Sequence, residues 1–389
     1  MTSRDLDRHR AAFLISAAVT SLITACGSAP ATSTAPRPAH ESPGPASRHG
    51  RFTTAVTALA DKLEASYVLP DVGARYAAQL RANLARGTYD SIDDRETIAG
   101  QLGSDLQAVA PDGHLRVASE ANLTPDGHFR VAPDGPRGGL AARPADPKTA
   151  PGDGPRLQGP GKPRGPSRPA IGDMAWLADG VAYIQFNEFP GDPETVAAVD
   201  RFMVDHASAR ALIIDARSHH GGGSAEMDVM LPYLYARETA LVDMEVAASL
   251  ERERGGPPPG PGPGMRSVPA PPGRVRREQV VTPHPTEHRL FTAQVFYLTS
   301  SRTLSAAEHL AFALKRTGRA VLIGETTGGG NHFGGWESLG DGLAAFIPIG
   351  RTLDPVTGAD WEGVGVAPDV AVPAVQALDE ALRRAARRR

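Results

Sequence analysis

The stretch QVFYLTSSRTLSAAEHLAFALKRTGRAVLIGE, residues 294–325, decides the fold class. Gln294-Val-Phe-Tyr-Leu298 and Ala320-Val-Leu-Ile323 are short apolar runs rich in β-branched and aromatic residues, the signature of buried strands. Between them, Ser305 to Thr317 places apolar residues at helical spacing. Strand, helix and strand in succession argue an α/β sheet. The same alternation continues outward. Upstream lie strands at Val181-Ala-Tyr-Ile-Gln-Phe186 and Ala211-Leu-Ile-Ile214, with a helix over Pro193–Ala209 between them. Downstream, Leu343-Ala-Ala-Phe-Ile347 reads as a strand, and Val375–Arg389 as a helix whose five arginines make it a solvated or frayed tail. Residues 51–117 have a different texture. Phe52, Val56, Leu59 and Leu63 recur at helical spacing, as do Ile98, Leu102, Leu106 and Val109, and Gly73–Arg86 is a third helix.

Glycine (42) and proline (35) make up about one residue in five of the 389, against an ordinary share near 12%. The excess is local: Gly27–Gly50, Pro125–Gly172 and Glu251–Thr286 hold more than half of it. The first reads as a spacer, the other two as loops that interrupt the fold. A single cysteine excludes a disulfide framework and multi-cysteine metal clusters. A net charge of −3 gives no electrostatic reason to expect nucleic acid. At the N-terminus, Arg4, Arg8 and Arg10 precede an apolar run from Ala11 to Ala25, the length of a signal-peptide core. It ends Leu22-Ile-Thr-Ala-Cys26-Gly, which resembles a bacterial lipobox. That resemblance implies lipidation of Cys26 and an exported chain held at the outer face of the membrane.

Four stretches could carry chemistry. Ser305 opens a helix, where free amides and the helix dipole favour developing negative charge and the Ala306 amide can face an oxyanion. Ser305 with Glu308 also fits a simple capping box. Asp215-Ala-Arg-Ser-His-His-Gly221-Gly-Gly223 follows a buried strand, and its glycines allow close backbone approach and amides aimed at an oxyanion. It lacks the Gly-Lys-Ser/Thr of a phosphate loop. His219 and His220 are adjacent and make a poor chelating pair, so no metal site is expected. Asp112-Gly-His114 supplies a histidine suited to act as general base. Glu362, in Trp361-Glu-Gly-Val-Gly-Val-Ala-Pro-Asp369, could orient it as the third member of a triad. The motif Pro111-Asp-Gly-His-Leu-Arg-Val-Ala118 recurs at Pro125–Ala132, which leaves His128 as the competing base.

In this order, Asp112-Gly-His114-Leu-Arg-Val, Asp215-Ala-Arg-x-x-x-Gly-Gly, Ser305-Ala-Ala-Glu with Gly324-Glu-Thr-Thr-Gly-Gly329, and Trp361–Asp369 with Asp354-Pro-Val-Thr-Gly358 before it, the chain resembles the tail-specific, or C-terminal processing, serine peptidases. It is most similar to the branch of the tricorn core protease and the interphotoreceptor retinoid-binding protein. The resemblance implies a crotonase-like α/β core of β-β-α units joined to a helical N-terminal module. It also implies Ser305 as nucleophile, His114 as base, Glu362 or Asp112 as its orienting carboxylate, and the amides of Gly221, Gly222 and Ala306 around the oxyanion. Substrates would be peptides or unfolded proteins, with no cofactor. Two departures stand out. Gly330 occupies the place of the lysine used by the Ser–Lys branch, and Lys315 lies inside the helix, so a lysine base is excluded. His219 replaces the family's usual asparagine.

The expected organisation is a signal peptide (1–25), a tether (26–50), a helical module (51–124), a Gly/Pro linker too short for a PDZ domain (125–172), and a peptidase core (173–385) with a surface insert at 251–286. The alternative is an inactive lipoprotein that binds an apolar ligand on the same scaffold.

Overall fold

The structure, a computed structural model, describes residues 50–123, 168–178, 180–253 and 264–387. Three helices come first: α1 (Thr53–Ser66), α2 (Pro70–Ala85) and α3 (Arg95–Val109). Strands β1 (Arg116–Ser119), β2 (Ile171–Ala178) and β3 (Val181–Phe186) lead to α4 (Pro193–Asp205) and β4 (Ala211–Asp215). Then follow α5 (Ala225–Met230), β5 (Thr239–Ala247), α6 (Ala248–Glu253), β6 (Met265–Val268), β7 (Arg274–Val281) and β8 (Gln294–Thr299). The chain ends with α7 (Ala306–Arg316), β9 (Val321–Gly324), β10 (Phe333–Gly340), β11 (Leu343–Leu353), β12 (Val370–Ala371) and α8 (Ala377–Ala386). No helix among the described residues is long and apolar enough to cross a membrane.

The strands form two sheets. The first runs β12-β9-β8-β4-β3-β2, parallel except for the edge strand β2. Its inner strands β3, β4 and β8 are apolar on both faces because both are covered, as parallel sheets require. Ala182, Ile184 and Phe186 pack with α4 and α7 on one side, while Val181 and Tyr183 join α8 on the other. The C-terminal helix is therefore no free tail: Ala377, Ala381 and Ala385 are buried on the sheet, and Arg383 and Arg384 lie outside, paired with Glu380.

The second sheet is antiparallel, in the order β1-β11-β5-β7-β6, with β10 also paired to β11. Leu339, Leu343, Ile347 and Ile349 share one core with Leu59, Leu63, Tyr76, Leu80 and Leu102 of the three helices. The helices thus cover a sheet built largely from residues beyond 239. The expectation of a surface insert over 251–286 fails in its second half. There β7 pairs with β5 along its length, from Thr239 opposite Val281 to Ala247 opposite Arg274. Residues 1–49, 124–167, 179, 254–263 and 388–389 lie outside the described residues. So do Cys26, His128 and nearly all of the 125–172 linker.

Candidate active site

The loops at the C-terminal ends of β4 and β8 meet, the usual place for a site in an open α/β sheet. The Thr303 hydroxyl donates to the Ala216 carbonyl at 2.8 Å, the Ser300 hydroxyl to the Arg217 carbonyl at 2.6 Å, and the Leu304 amide to the His219 carbonyl at 3.1 Å. These bonds stitch the Ser305 turn to the glycine loop. Ser305 itself has φ 59° and ψ −122°. Only it and Asp341 among the described non-glycine residues have a positive φ. For an L-residue such a backbone costs on the order of 1–3 kcal/mol and marks sites where geometry matters more than stability. It also resembles the strained strand-to-helix elbow that presents a nucleophilic serine.

Gly221 and Gly222 fit around this turn for steric reasons. A Cβ on Gly221 would lie 2.8 Å from the Ser305 Cβ, and one on Gly222 would strike the Phe189 carbonyl oxygen at 2.0 Å. Their φ values of 116° and 127° are open only to glycine. The Gly221 amide, expected to face an oxyanion, instead donates to His219 Nδ1 at 3.1 Å, so it is occupied. The Gly222 and Ala306 amides have no partner among the described residues. His219 is fully buried against Phe189, and burial lowers its pKa to about 3, so it stays a neutral acceptor.

Glu308 does more than close a capping box. Its buried carboxylate accepts four hydrogen bonds: from the Ser305 amide (2.8 Å), the Thr327 hydroxyl (2.6 Å), the Gly329 amide (2.6 Å) and the Gly330 amide (2.8 Å). Burial pushes its pKa up to about 7, against these donors. The carboxylate welds the start of α7 to the 327–330 loop. His114 approaches across that loop. A Cβ on Gly330 would lie 2.6 Å from His114 Cε1 and 3.0 Å from Leu304 Cδ1, which places the imidazole beside the residue preceding the serine. Both ring nitrogens of His114 are buried with no hydrogen-bond partner, and burial lowers its pKa to about 4. Lys315 is turned elsewhere, its Nζ 2.6 Å from the Ala367 carbonyl and 3.3 Å from Asp369.

The orienting carboxylates differ from expectation. Neither Glu362 nor Asp112 bonds the His114 ring. Asp112 accepts the His114 and Leu115 amides on Oδ1 (2.7 and 2.9 Å), and the Tyr67 hydroxyl and His332 Nδ1 on Oδ2 (2.6 and 2.7 Å). Glu362 accepts the Gly113 amide on Oε1 (3.0 Å) and the Asn331 and His332 amides on Oε2 (2.7 and 3.0 Å). Glu362 thus grips the backbone of the His114 loop and of the 331–332 segment, and Asp112 grips the His114 loop. A short carboxylate that turns back on the amides two and three residues ahead makes an Asx turn, and so is spent before reaching the imidazole. Sequence reasoning missed His332. Its only signal is its place two residues after a glycine run, and its partner Asp112 is 220 positions away.

Asp112, His332 and Glu362 bring ligand-type atoms within 4.8 Å of one another. Asp112 Oδ2, His332 Nδ1 and Glu362 Oε2 also take part in the contacts just described. Burial opposes ionisation of Asp112, but the bond and charge of His332, with the Tyr67 hydroxyl, outweigh it and hold the pKa down at about 2. Burial also opposes charge on His332, yet Asp112, then Glu362 and Asp360, raise its pKa above the ordinary histidine value.

Comparison with known proteins bears on these same residues. The profile of peptidase family S41 matches residues 180–372, which hold Ser305, Glu308, His332 and Glu362. The N-terminal domain of this peptidase in the eukaryotic interphotoreceptor retinoid-binding protein matches 47–137, which holds Asp112 and His114. The chain belongs to peptidase family S41. Among curated relatives, carboxyl-terminal-processing peptidase 3 of Arabidopsis thaliana chloroplasts is 38% identical over 73 residues, 19% of this chain and 14% of that protein. Carboxyl-terminal-processing peptidase 1 is 36% identical over 80 residues, 21% of this chain and 16% of its own length. This chain therefore matches only a small part of either relative. A solved candidate peptidase from Parabacteroides merdae has the same fold, with a TM-score of 0.52 at 16% identity over 88% of this chain and 98% of its own.

Proposed function

We propose that this S41 chain is a serine endopeptidase that works through an acyl-enzyme on Ser305. The observation that carries the reading is the Ser305 backbone, held at a positive φ at the start of α7 with Gly221 pressed against its Cβ. A strained serine at a helix N-terminus, beside a buried neutral imidazole, is suited to nucleophilic attack. Ser305 Oγ adds to the scissile carbonyl carbon while His114 takes the hydroxyl proton. The oxyanion is stabilised by the Gly222 and Ala306 amides at the positive end of the α7 dipole. His114 then returns the proton to the leaving amine, and water cleaves the ester, its proton passing to the same ring and from there to the departing Ser305 Oγ. Asp112 and Glu362 act on His114 through the backbone of its loop. Substrates are peptides or unfolded chains, and the core is of crotonase-like β-β-α descent. Cys26, if lipidated, holds the enzyme at the outer face of the membrane.

A fluorophosphonate probe tests the reading. Wild-type protein is expected to be labelled and to hydrolyse an unfolded casein-like substrate, and Ser305→Ala to lose both, with a fall in kcat on the order of 10⁶-fold. Wild-type protein that neither labels nor cleaves overturns it. Metabolic labelling with a radioactive fatty acid is expected to mark the full chain but not its Cys26→Ser variant.

A further inference from the structure

The loop that carries His114 has three consecutive amides bound by carboxylates: Gly113 by Glu362, and His114 and Leu115 by Asp112. Two anions so close together, Asp112 buried and Glu362 partly exposed, repel each other, and the repulsion would pull apart the two segments they tie. One histidine stands between them. His332 Nδ1 is 2.7 Å from Asp112 Oδ2 and 3.8 Å from Glu362 Oε2, and the His332 amide is itself bound by Glu362 at 3.0 Å. The ring is 6% exposed and lies edge-on to Tyr67. Among the described residues, its polar contacts are with these two acids.

We infer that His332, as an imidazolium between Asp112 and Glu362, is a positioning residue that holds the His114 loop against the Ser305 turn. The inference rests on the peptidase reading above and adds to it a charge-operated hold on the base. The groups facing His332 are Tyr67 from the end of α1, Asp112 and the more distant His114 from the loop after α3, and Asp360 and Glu362 from the loop after β11. Three of the five are acids, and they raise the pKa of the ring above the ordinary histidine value. The sign follows. The hold is complete below about 6.5, the ordinary histidine value, and is lost as pH rises through the higher value of the folded protein. Activity should therefore fall on the alkaline side when His332 loses its proton.

His332→Asn is the decisive variant, because its side-chain amide can donate to Asp112 from the place of Nδ1 but cannot titrate. In the full chain, kcat is expected to fall about tenfold with KM within about twofold, and the alkaline limb of the kcat profile is expected to disappear. Loss of a merely structural contact would lower activity and leave that limb in place. His332→Leu, which removes the donor as well, should lose more, and far-ultraviolet circular dichroism of both variants reads folding. A second arm does not need turnover. In the Ser305→Ala protein, NMR titration should place the His332 imidazole above 6.5, and adding His332→Asn should shift the His114 ring resonances. A wild-type alkaline limb in His332→Asn, or a His332 midpoint at or below 6.5, overturns the inference. So does complete loss of probe labelling in His332→Asn while His114→Asn still labels, which would make His332 the base. Failure of wild-type protein to label instead sinks the peptidase reading and leaves the NMR arm to decide the ionic hold.

Discussion

Ser305 sits on a loop fixed by backbone geometry, whereas His114 sits on a loop fixed by charge. On the serine side, glycines allow close contact, one strained residue sets the angle, and a single buried carboxylate collects four donors. On the histidine side, Asp112 accepts from the His332 ring and the Tyr67 hydroxyl, and Glu362 lies 3.8 Å from the same ring nitrogen. The two sides titrate in opposite directions. Glu308 must lose a proton to accept four bonds, and His332 must keep one to bridge two acids. Activity is then confined to a window in which both conditions hold, with a serine-side limb on the acid flank and a histidine-side limb on the alkaline flank.

The largest effect should come from breaking the serine side. In Glu308→Gln the side chain keeps one oxygen and turns an amide group toward donors that need an acceptor. Two of the four would be left unsatisfied, at about 1–3 kcal/mol each. The expected outcome is a fall in kcat of about 100-fold and a clear drop in melting temperature. In the wild type, kcat should decline on the acid side with a midpoint near the value of about 7 to which burial pushes Glu308. His114 stays neutral down to about 4 and does not set this limb. A pH–kcat profile distinguishes the two, since an acid limb near 4 would show that Glu308 plays no part.

A smaller effect tests how the oxyanion loop is shaped. His219 accepts the Gly221 amide, next to the Gly222 amide that has no partner among the described residues. His219→Ala removes the acceptor and should lower kcat about tenfold, less than outright loss of an oxyanion donor. His219→Asn puts an amide oxygen near the place of Nδ1 and should recover activity to within about threefold. Equal loss in both variants would mean that the imidazole serves only as packing against Phe189.

How far the sequence could be read follows the same division. The parallel sheet was legible because its strands are apolar on both faces: Val181–Phe186 appears at its predicted bounds. Ser305 and Glu308 are three residues apart, so their relation shows in the local pattern. β7 was hidden. Arg274-Val-Arg-Arg-Glu-Gln-Val-Val follows a proline- and glycine-rich run and carries charges where a buried strand would be apolar. Those charges are matched across the sheet, with Glu245 between Arg276 at 2.7 Å and Arg351 at 2.9 Å. Only the pairing of strands far apart in sequence reveals that match. The charged hold on His114 was hidden for the same reason. Asp112 suggested a triad partner, yet its oxygens are used up on neighbouring amides and on a histidine that no local motif links to it.

The mildest change gives the sharpest comparison of the two sides. The Tyr67 hydroxyl donates to Asp112 Oδ2 at 2.6 Å, on the same oxygen that meets His332. Tyr67→Phe removes that donor and nothing of the serine side. Asp112 keeps the His114 and Leu115 amides, so the loop should stay closed and kcat should fall only about twofold. With one donor gone, Oδ2 offers more charge to His332, which holds its proton more tightly. The alkaline limb should therefore move to higher pH while the acid limb, set by Glu308, stays where it is. Glu308→Gln should do the reverse, removing the acid limb and leaving the alkaline one. Profiles in which both limbs move together in either variant would mean that the two loops form one ionic unit, and the distinction between a geometric and an electrostatic side would fail.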